Sequence, residues 1–237
     1  YQILESLRRT IEEQNISHRQ SFTSTIGVSV YIVILVALFG LYLYTYRRKL
    51  LDNLRNVLFF AILMALIISA AFLVLRHFSA SYIFLIPFAW VPIIARVFYD
   101  SRTAIFIHII TVFIVSIAAP APYVFILMQV ITGIVAVISL RDMTQRAQLA
   151  QTALFTFLMY SVVYTATTLL VTGSITNVEY NYYIYFAVNA VLVICAYGLI
   201  FLFERTFGLV RNITLVELTN VNSNLMLEFA EKAPGTF

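Results

Sequence analysis

Charged residues are scarce in this chain: Lys, Arg, Asp and Glu together make up 11% of its 237 residues. Hydrophobic residues make up 62%, and the mean hydropathy is +0.92. A soluble globular domain has about 25% charged residues and about 45–50% apolar residues. The composition therefore excludes an ordinary soluble domain and predicts a membrane protein. Cysteine occurs once, at Cys195, so an internal disulfide is also excluded.

The motifs of soluble enzymes are missing as well. The sequence has no Gly-rich phosphate loop, no Cys-x-x-Cys pair and no His-x-x-x-His spacing that would hold zinc on a helix. Its three histidines, His18, His77 and His108, lie too far apart in the topology derived below to gather at one metal. We therefore assign no catalytic residue, metal ligand or cofactor within residues 1–237. The net charge of +4 is explained by the topology, and no nucleic-acid polymer is predicted as a partner.

Long apolar runs are what the sequence has in abundance. A helix needs roughly 17 to 23 residues to cross about 30 Å of hydrocarbon at 1.5 Å per residue, and seven runs reach or approach this length. The third and fourth runs are short and closely spaced, so a re-entrant pair is the alternative there. The seven are Ile26–Tyr46, Val57–Leu75, Tyr82–Val97, Ala104–Ala119, Tyr123–Leu140, Ala153–Val171 and Tyr183–Phe203.

Lys and Arg residues are concentrated in alternate connections, which predicts that those connections are cytoplasmic. Arg76 is the one Lys or Arg residue in the remaining connections, so these connections are predicted to face outward. With seven spans, the N-terminus is then outside and the C-terminus is cytoplasmic. Arg8, Arg9 and Arg19 oppose this rule unless they end a folded external domain, because large domains translocate largely regardless of charge. The basic residues of the connections predicted to be cytoplasmic are Arg47, Arg48, Lys49 and Arg55, then Arg96 and Arg102, then Arg141 and Arg146, and finally Arg205 and Arg211.

Ionisable residues are almost missing from the apolar runs, whereas a transporter or channel would show several. We interpret His108 as a packed or interfacial histidine, with a proton relay as the alternative. Polar uncharged residues are more frequent, and we expect them to hydrogen-bond between helices rather than to line a ligand cavity. They are Gln129, Thr132, Ser161, Thr165, Thr167, Thr168 and Asn189.

The third run contains two prolines, Pro87 and Pro92. Proline removes a backbone donor and fixes φ, so these residues predict a bend or a break in the helix. We name them as a candidate helix hinge for signalling. An inert kink is compatible with the same pattern.

The polar tail after the last run begins with a helix-start signal. Thr214 and Glu217 have the spacing of a capping box, in which both side chains satisfy backbone donors of the first turn. Leu218, Leu225 and Phe229 follow at helical spacing, and Pro234-Gly235 ends the pattern. The tail is predicted to be a cytoplasmic linker, either a short amphipathic connector or helices that pass motion to a further domain.

The segment from Phe203 to Phe237 resembles the junction found in bacterial seven-transmembrane receptors that carry an intracellular HD hydrolase domain. This family includes cyclic di-AMP phosphodiesterases. Ser223-Asn224 departs from the His-Pro or similar pair expected at that point. The matching positions, which we take as the signal-transmission linker, are Glu204, Arg205, Phe207, Gly208, Thr214, Glu217, Leu218, Asn220, Asn222, Pro234 and Gly235.

The resemblance implies an all-α polytopic membrane bundle joined to a hydrolase that residues 1–237 do not contain. Residues 1–25 would be the end of an external domain or a juxtamembrane helix, residues 26–203 the seven-helix domain and residues 204–237 the linker. This chain alone would not be an enzyme. In the family, the HD domain binds two divalent metals, Mn or Fe, and cleaves cyclic di-AMP to linear pApA.

The resemblance also implies the partners and the location. The partners would be the lipid bilayer, the protein's own HD domain and external sensor domain, cyclic di-AMP at the HD domain and a second copy in a homodimer. The location would be the bacterial cytoplasmic membrane. The alternatives are the membrane module of a sensor kinase or cyclase, and a small-solute transporter or channel. A sensor kinase or cyclase would show a different catalytic motif in the residues after Phe237. Uptake into sealed vesicles would distinguish a transporter or channel from a receptor.

Overall fold

The computed structural model describes residues 2–140 and 147–209, with side chains described over 23–140 and 148–209. The regular elements among these residues are all helical, and no strand occurs among them. Two compact units divide the chain, residues 1–48 and 49–237. The elements are α1 (Gln2–Tyr46), α2 (Arg48–Leu51), α3 (Leu54–His77), a 3₁₀ segment (Ala80–Leu85), α4 (Trp90–Phe98), α5 (Ser101–Ser116), α6 (Pro122–Ser139), α7 (Ala147–Thr172), a 3₁₀ turn (Ile175–Asn177), α8 (Asn181–Ile194) and α9 (Ala196–Phe207).

The first unit contains α1, a single helix of 45 residues. At 1.5 Å per residue it is about 68 Å long, twice what a bilayer core requires. Its apolar part is Thr23–Tyr46. The residues before it continue the same helix without a break, so the predicted boundary at residue 25 is not a break in secondary structure.

Among the described residues, six helical segments are long and apolar enough to cross a membrane, so the chain is a multi-pass membrane protein. The predicted fourth span, Ala104–Ala119, corresponds to α5, which covers Ser101–Ser116 and has 16 residues. Such a helix is about 24 Å long, short of a 30 Å core. A seventh crossing by α5 therefore stays a prediction. The six are Thr23–Tyr46, Leu54–His77, Ala80–Phe98, Pro122–Ser139, Gln148–Thr172 and Asn181–Phe207.

In the second unit, α4 occupies the centre. It packs on α3, α5, α6 and α9, and seven of its nine residues are buried. Around it, α5 packs on α6, α6 on α7, α7 on α8, and α8 on the 3₁₀ segment. Large apolar side chains, such as Leu73 of α3, Leu170 of α7 and Val191 of α8, are exposed on the outside of this unit. Apolar surface of this kind suits lipid rather than water.

The third apolar run is broken at Pro87, as its prolines predict. The 3₁₀ segment ends at Leu85, and α4 begins only at Trp90. Pro92 does not break α4, because it is the third residue of the helix, where the backbone N–H would have no partner within the helix. The two prolines thus differ: Pro87 lies in the interruption, and Pro92 fits inside the first turn.

The last apolar run is also interrupted. Helix α8 ends at Ile194, and α9 begins at Ala196 after Cys195. The Cys195 N–H bonds to the carbonyl of Leu192, three residues back, instead of the usual four. The third and last runs are therefore each made of two helical pieces.

Candidate functional site

A cavity of about 320 Å³ lies at the end of the second unit where α3 and α7 finish and α6 and α8 begin. We call this end the cavity end, and the opposite end, where α3 begins and α9 finishes, the linker end. Four separate stretches of the sequence form the cavity. Its lining residues are Ala80, Ser81, Ile83, Phe84, Pro120, Ala121, Val124, Phe125, Met128, Tyr164, Glu179 and Tyr182.

Four aromatic rings form much of the cavity wall. Tyr164 of α7 and Tyr182 of α8 stack with ring centroids 4.8 Å apart. Phe84 of the 3₁₀ segment contacts Tyr182 edge-on at 5.6 Å and lies 6.4 Å from Phe125 of α6. Ring pairs at these separations stabilise a fold beyond their buried area. The wall is therefore shared by four separate elements that meet through aromatic contacts.

Polar groups in the cavity are few and are partly used by the protein itself. The hydroxyls of Ser81 and Tyr182 share a hydrogen bond of 3.1 Å, which joins the 3₁₀ segment to α8. The backbone N–H of Glu179 donates to the Tyr164 hydroxyl at 3.2 Å. Glu179 itself is exposed, and of the described lining residues it alone is charged. The cavity thus combines an apolar floor with a negative rim.

Beneath the cavity, two side chains connect the broken third and last runs. Asn189 of α8 is fully buried, and its Nδ2 donates to the carbonyls of Phe84 at 2.9 Å and Ile86 at 2.8 Å. Trp90 of α4 donates from Nε1 to the carbonyl of Leu192 at 2.8 Å. Broken helices free backbone carbonyls, which are costly to leave unpaired where water is excluded. We call these three hydrogen bonds the clasp, because at each helix break a side chain of the other run donates to the backbone carbonyls.

A second buried polar group joins α5, α6 and α7. His108 Nε2 donates to the backbone carbonyl of Gln129 at 2.9 Å, and the Tyr160 hydroxyl donates to Gln129 Oε1 at 2.5 Å. A β-carbon at Gly133 of α6 would overlap the imidazole of His108, so glycine is needed where this ring meets α6. His108 is thus a packed, hydrogen-bonded side chain, as interpreted from the sequence. Gln129 and Asn189 hydrogen-bond between helices, as expected.

At the linker end, Phe59 of α3 is the centre of an aromatic cluster. Its ring contacts Phe98 at 5.5 Å, Tyr99 at 5.4 Å, Phe203 at 5.2 Å and Phe207 at 5.9 Å. Two of these partners belong to α9, the element that precedes the linker. The cluster therefore fixes the last described helix against α3 and the end of α4.

Tyr99 also makes a polar contact at the linker end, just outside the third span. Its hydroxyl donates to Asn56 Oδ1 at 3.0 Å. Burial raises the pKa of Tyr99 above its usual value, because the charged phenolate loses solvation. The phenol therefore stays protonated, and so able to donate, throughout the physiological pH range.

The family comparison supports the sequence resemblance. The family described as "7TM receptor with intracellular HD hydrolase" matches residues 22–210, most of the chain. The chain belongs to this family. Residues 22–210 include all six candidate spans, the cavity and the clasp.

Two curated relatives of the chain are both named Cyclic-di-AMP phosphodiesterase PgpH. The one from Listeria monocytogenes serotype 1/2a (strain 10403S) is 26% identical over 225 residues, covering 89% of this chain and 30% of the relative. The one from Bacillus subtilis (strain 168) is 26% identical over 226 residues, covering 87% of this chain and 31% of the relative. The chain spans about a third of the length of either. No solved structure matches the chain.

The structure places four of the predicted linker residues at the end of α9. Glu204, Arg205 and Phe207 lie in its last turn, and Phe207 packs on Phe59. Gly208 ends the helix with φ +60° and ψ +32°, a left-handed conformation that favours glycine. Thr214, Glu217, Leu218, Asn220, Asn222, Pro234 and Gly235 lie outside the described residues.

Sequence reasoning missed the cavity and the role of Trp90. Tyr182 lines the cavity wall, and Tyr183 shares a hydrogen bond with Thr165 at 2.6 Å. A single tryptophan two residues before Pro92 was the available signal for a fixed contact near the break. No group of three His, Cys, Asp or Glu side chains that could hold a metal occurs in the part of the chain that the structure describes.

Proposed function

We propose that this chain is the membrane sensor and signal-transmission module of a bacterial cyclic di-AMP phosphodiesterase. The observation that carries the proposal is the family match over residues 22–210, together with two relatives named for that activity. Hydrolysis of cyclic di-AMP to linear pApA would be done by an intracellular HD hydrolase joined through residues 204–237. Among the described residues, no three His, Cys, Asp or Glu side chains come together in a group that could hold a metal ion.

The proposed topology has seven crossings, with the N-terminus outside and the C-terminus in the cytoplasm of a bacterial cell. In this topology α5 crosses with the help of residues 117–119, and the cavity end faces outward. The described basic residues near the linker end, including Lys49, Arg55 and Arg102, support it, because positive residues resist translocation. Residues 1–25 would connect to an external sensor domain, and a homodimer would let transmission helices act in pairs.

Transmission requires two arrangements of the module that a ligand distinguishes by its affinity. The clasp and the Phe59 cluster offer a physical route, because they connect the cavity wall through α8 and α9 to the linker. Pro87 and the Cys195 interruption are places where the two runs can change angle. The proposed hinge thus involves Pro87, whereas Pro92 is accommodated within α4.

Transport is the second candidate function, because broken helices in contact are typical of many transporters. In those proteins the freed backbone groups face a substrate cavity. Here the carbonyls at both breaks are occupied by Asn189 and Trp90. This bonding favours a signalling role over a transport pathway.

The test of the proposed function is hydrolysis by the full-length protein. We expect the purified protein in lipid nanodiscs with Mn²⁺ to convert cyclic di-AMP to pApA, and EDTA to remove at least 95% of the rate, since two metals activate the attacking water in such sites. Product would be measured by chromatography with mass detection. Intact nucleotide, with or without Mn²⁺ or Fe²⁺, would contradict the proposal.

A further inference from the structure

We propose that the cavity binds a small organic cation, an ammonium group attached to an apolar body. This inference deepens the sensing role and, as regards signalling, rests on the proposed function. The binding itself is a property of the described residues alone.

The size and shape of the cavity fit a small molecule. A volume of about 320 Å³ lies at the lower end of the range for ligand sites. Ile83, Phe125 and Met128 are buried and form its floor, whereas Pro120, Ala121 and Glu179 are exposed and form its mouth. A ligand would therefore enter from the cavity end with its apolar part directed inward.

The aromatic wall favours a cation over a neutral group. The faces of Tyr and Phe rings carry negative quadrupole charge and attract an ammonium within about 6 Å. Tyr164, Tyr182, Phe84 and Phe125 together supply four such rings around one space. Lysine and arginine are missing from the described lining residues, so nothing positive opposes a cation there.

Glu179 gives the mouth of the cavity a negative charge. Its backbone N–H is held by the Tyr164 hydroxyl, which fixes the position of the residue beside the stacked Tyr164 and Tyr182 rings. A carboxylate at the edge of an aromatic wall pairs with an ammonium and repels an anion. The order of binding should therefore be cation, then neutral molecule, then anion.

An occupant would touch elements that the clasp also connects. The 3₁₀ segment contributes Ser81 and Phe84 to the wall, and α8 contributes Tyr182, seven residues before Asn189. A ligand that holds these elements in one arrangement biases the relation between the third and last runs. Occupancy of the cavity is thereby linked to the helix that leads to the linker.

The test compares three molecules of similar shape: 2-phenylethylammonium, 2-phenylethanol and 3-phenylpropanoate. Binding to the full-length protein in nanodiscs of neutral lipid would be measured by saturation-transfer NMR and by titration. We expect the ammonium to bind about tenfold more tightly than the alcohol, and the propanoate more weakly than either. Empty nanodiscs serve as the control for partition into lipid.

Three variants assign the binding to the cavity. Glu179→Gln should reduce the preference for the ammonium over the alcohol at least threefold, and Val124→Phe, which fills the space, should abolish saturable binding of both. Asp52→Asn removes an exposed carboxylate near the linker end and should leave binding unchanged. Thermal melting identifies any variant that fails to fold, and Glu179→Gln changes no buried group.

Two results would overturn the inference. One is equal affinity for the ammonium and the alcohol in the wild-type protein; the other is no saturable binding of any of the three molecules. Because binding is measured without cyclic di-AMP, a failure of hydrolysis leaves this test intact. If the protein hydrolysed cyclic di-AMP but did not bind the cation, the proposed cavity ligand would be rejected and the proposed phosphodiesterase function would stand.

Discussion

Gly133→Ala is expected to destabilise the protein by about 3 kcal/mol or more. The added methyl would occupy the space of the His108 ring, and overpacking of a buried site costs about 1–3 kcal/mol. Displacing the ring also breaks its hydrogen bond to the Gln129 carbonyl, which leaves buried polar groups unpaired at a further cost of about 1–3 kcal/mol. Thermal melting in detergent micelles would measure the loss.

Gly198→Ala is the matched control for this substitution. Gly198 is also a helical glycine, but no atom lies within 4 Å of the position its β-carbon would take. Alanine should there be neutral or stabilise by up to about 1 kcal/mol, because it favours the helix. In a His108→Ala background, Gly133→Ala should cost less than about 1 kcal/mol. An equal cost in both backgrounds would show that the ring is not the obstacle.

Asn189→Leu is expected to destabilise the protein by about 1–3 kcal/mol. Leucine has the same number and branching of side-chain heavy atoms but cannot donate to the carbonyls of Phe84 and Ile86, so two of the three side-chain hydrogen bonds of the clasp are lost. Hydrogen bonds between membrane helices average about 0.6 kcal/mol each, and burial of the Phe84 carbonyl without this donor adds to that. The Ile86 carbonyl still accepts from the Phe88 N–H at 2.9 Å. Thermal melting, and the rate of proteolysis at 25 °C without denaturant, would both measure the loss of stability.

Asn181→Leu provides the comparison on the same helix. Asn181 is exposed at the start of α8, where a substitution should change stability by no more than about 0.5 kcal/mol. Equal melting temperatures for Asn189→Leu and the wild-type protein would mean that the clasp does not hold the two runs together.

The apolar runs could be predicted from the sequence because length and hydropathy determine whether a helix can cross a bilayer. Six of the seven predicted spans correspond to suitable helices. The fourth differs because α5 begins at Ser101 and ends at Ser116, before Pro120 and Pro122, so its 16 residues are shifted toward the N-terminus. Hydropathy alone does not locate such an end, since Ile117–Ala119 remain apolar.

The break at Pro87 could be predicted, since proline removes a donor and constrains the residue before it. The interruption at Cys195 could not be, because Ile194-Cys195-Ala196 contains no residue that ends a helix. There the tertiary bond from Trp90 to the Leu192 carbonyl supports the altered backbone. A tertiary contact of this kind leaves no local signal.

The candidate site was only partly predictable. Asn189 and Gln129 stood out as polar residues in apolar runs, and their role between helices follows from the cost of unpaired polar groups in a membrane. The cavity combines Phe84, Phe125 and Tyr182 from stretches up to about 100 residues apart, so it depends on the packing of the whole unit. The expectation that in-span polar residues do not line a cavity agrees with the described lining, which includes none of Gln129, Thr132, Ser161, Thr165, Thr167, Thr168 and Asn189.

The most direct test of the proposed role compares cyclic di-AMP hydrolysis by the full-length protein before and after a change confined to the membrane. With enzyme in nanodiscs and Mn²⁺ present, Asn189→Leu should change kcat at least threefold, while KM for the nucleotide and the rate of Asn181→Leu stay at wild-type values. Such a result would mean that the clasp acts on the hydrolase from a distance. Identical kcat values for the wild type, Asn189→Leu and Asn181→Leu, with the clasp variant shown by melting to have lost stability, would contradict transmission through these helices.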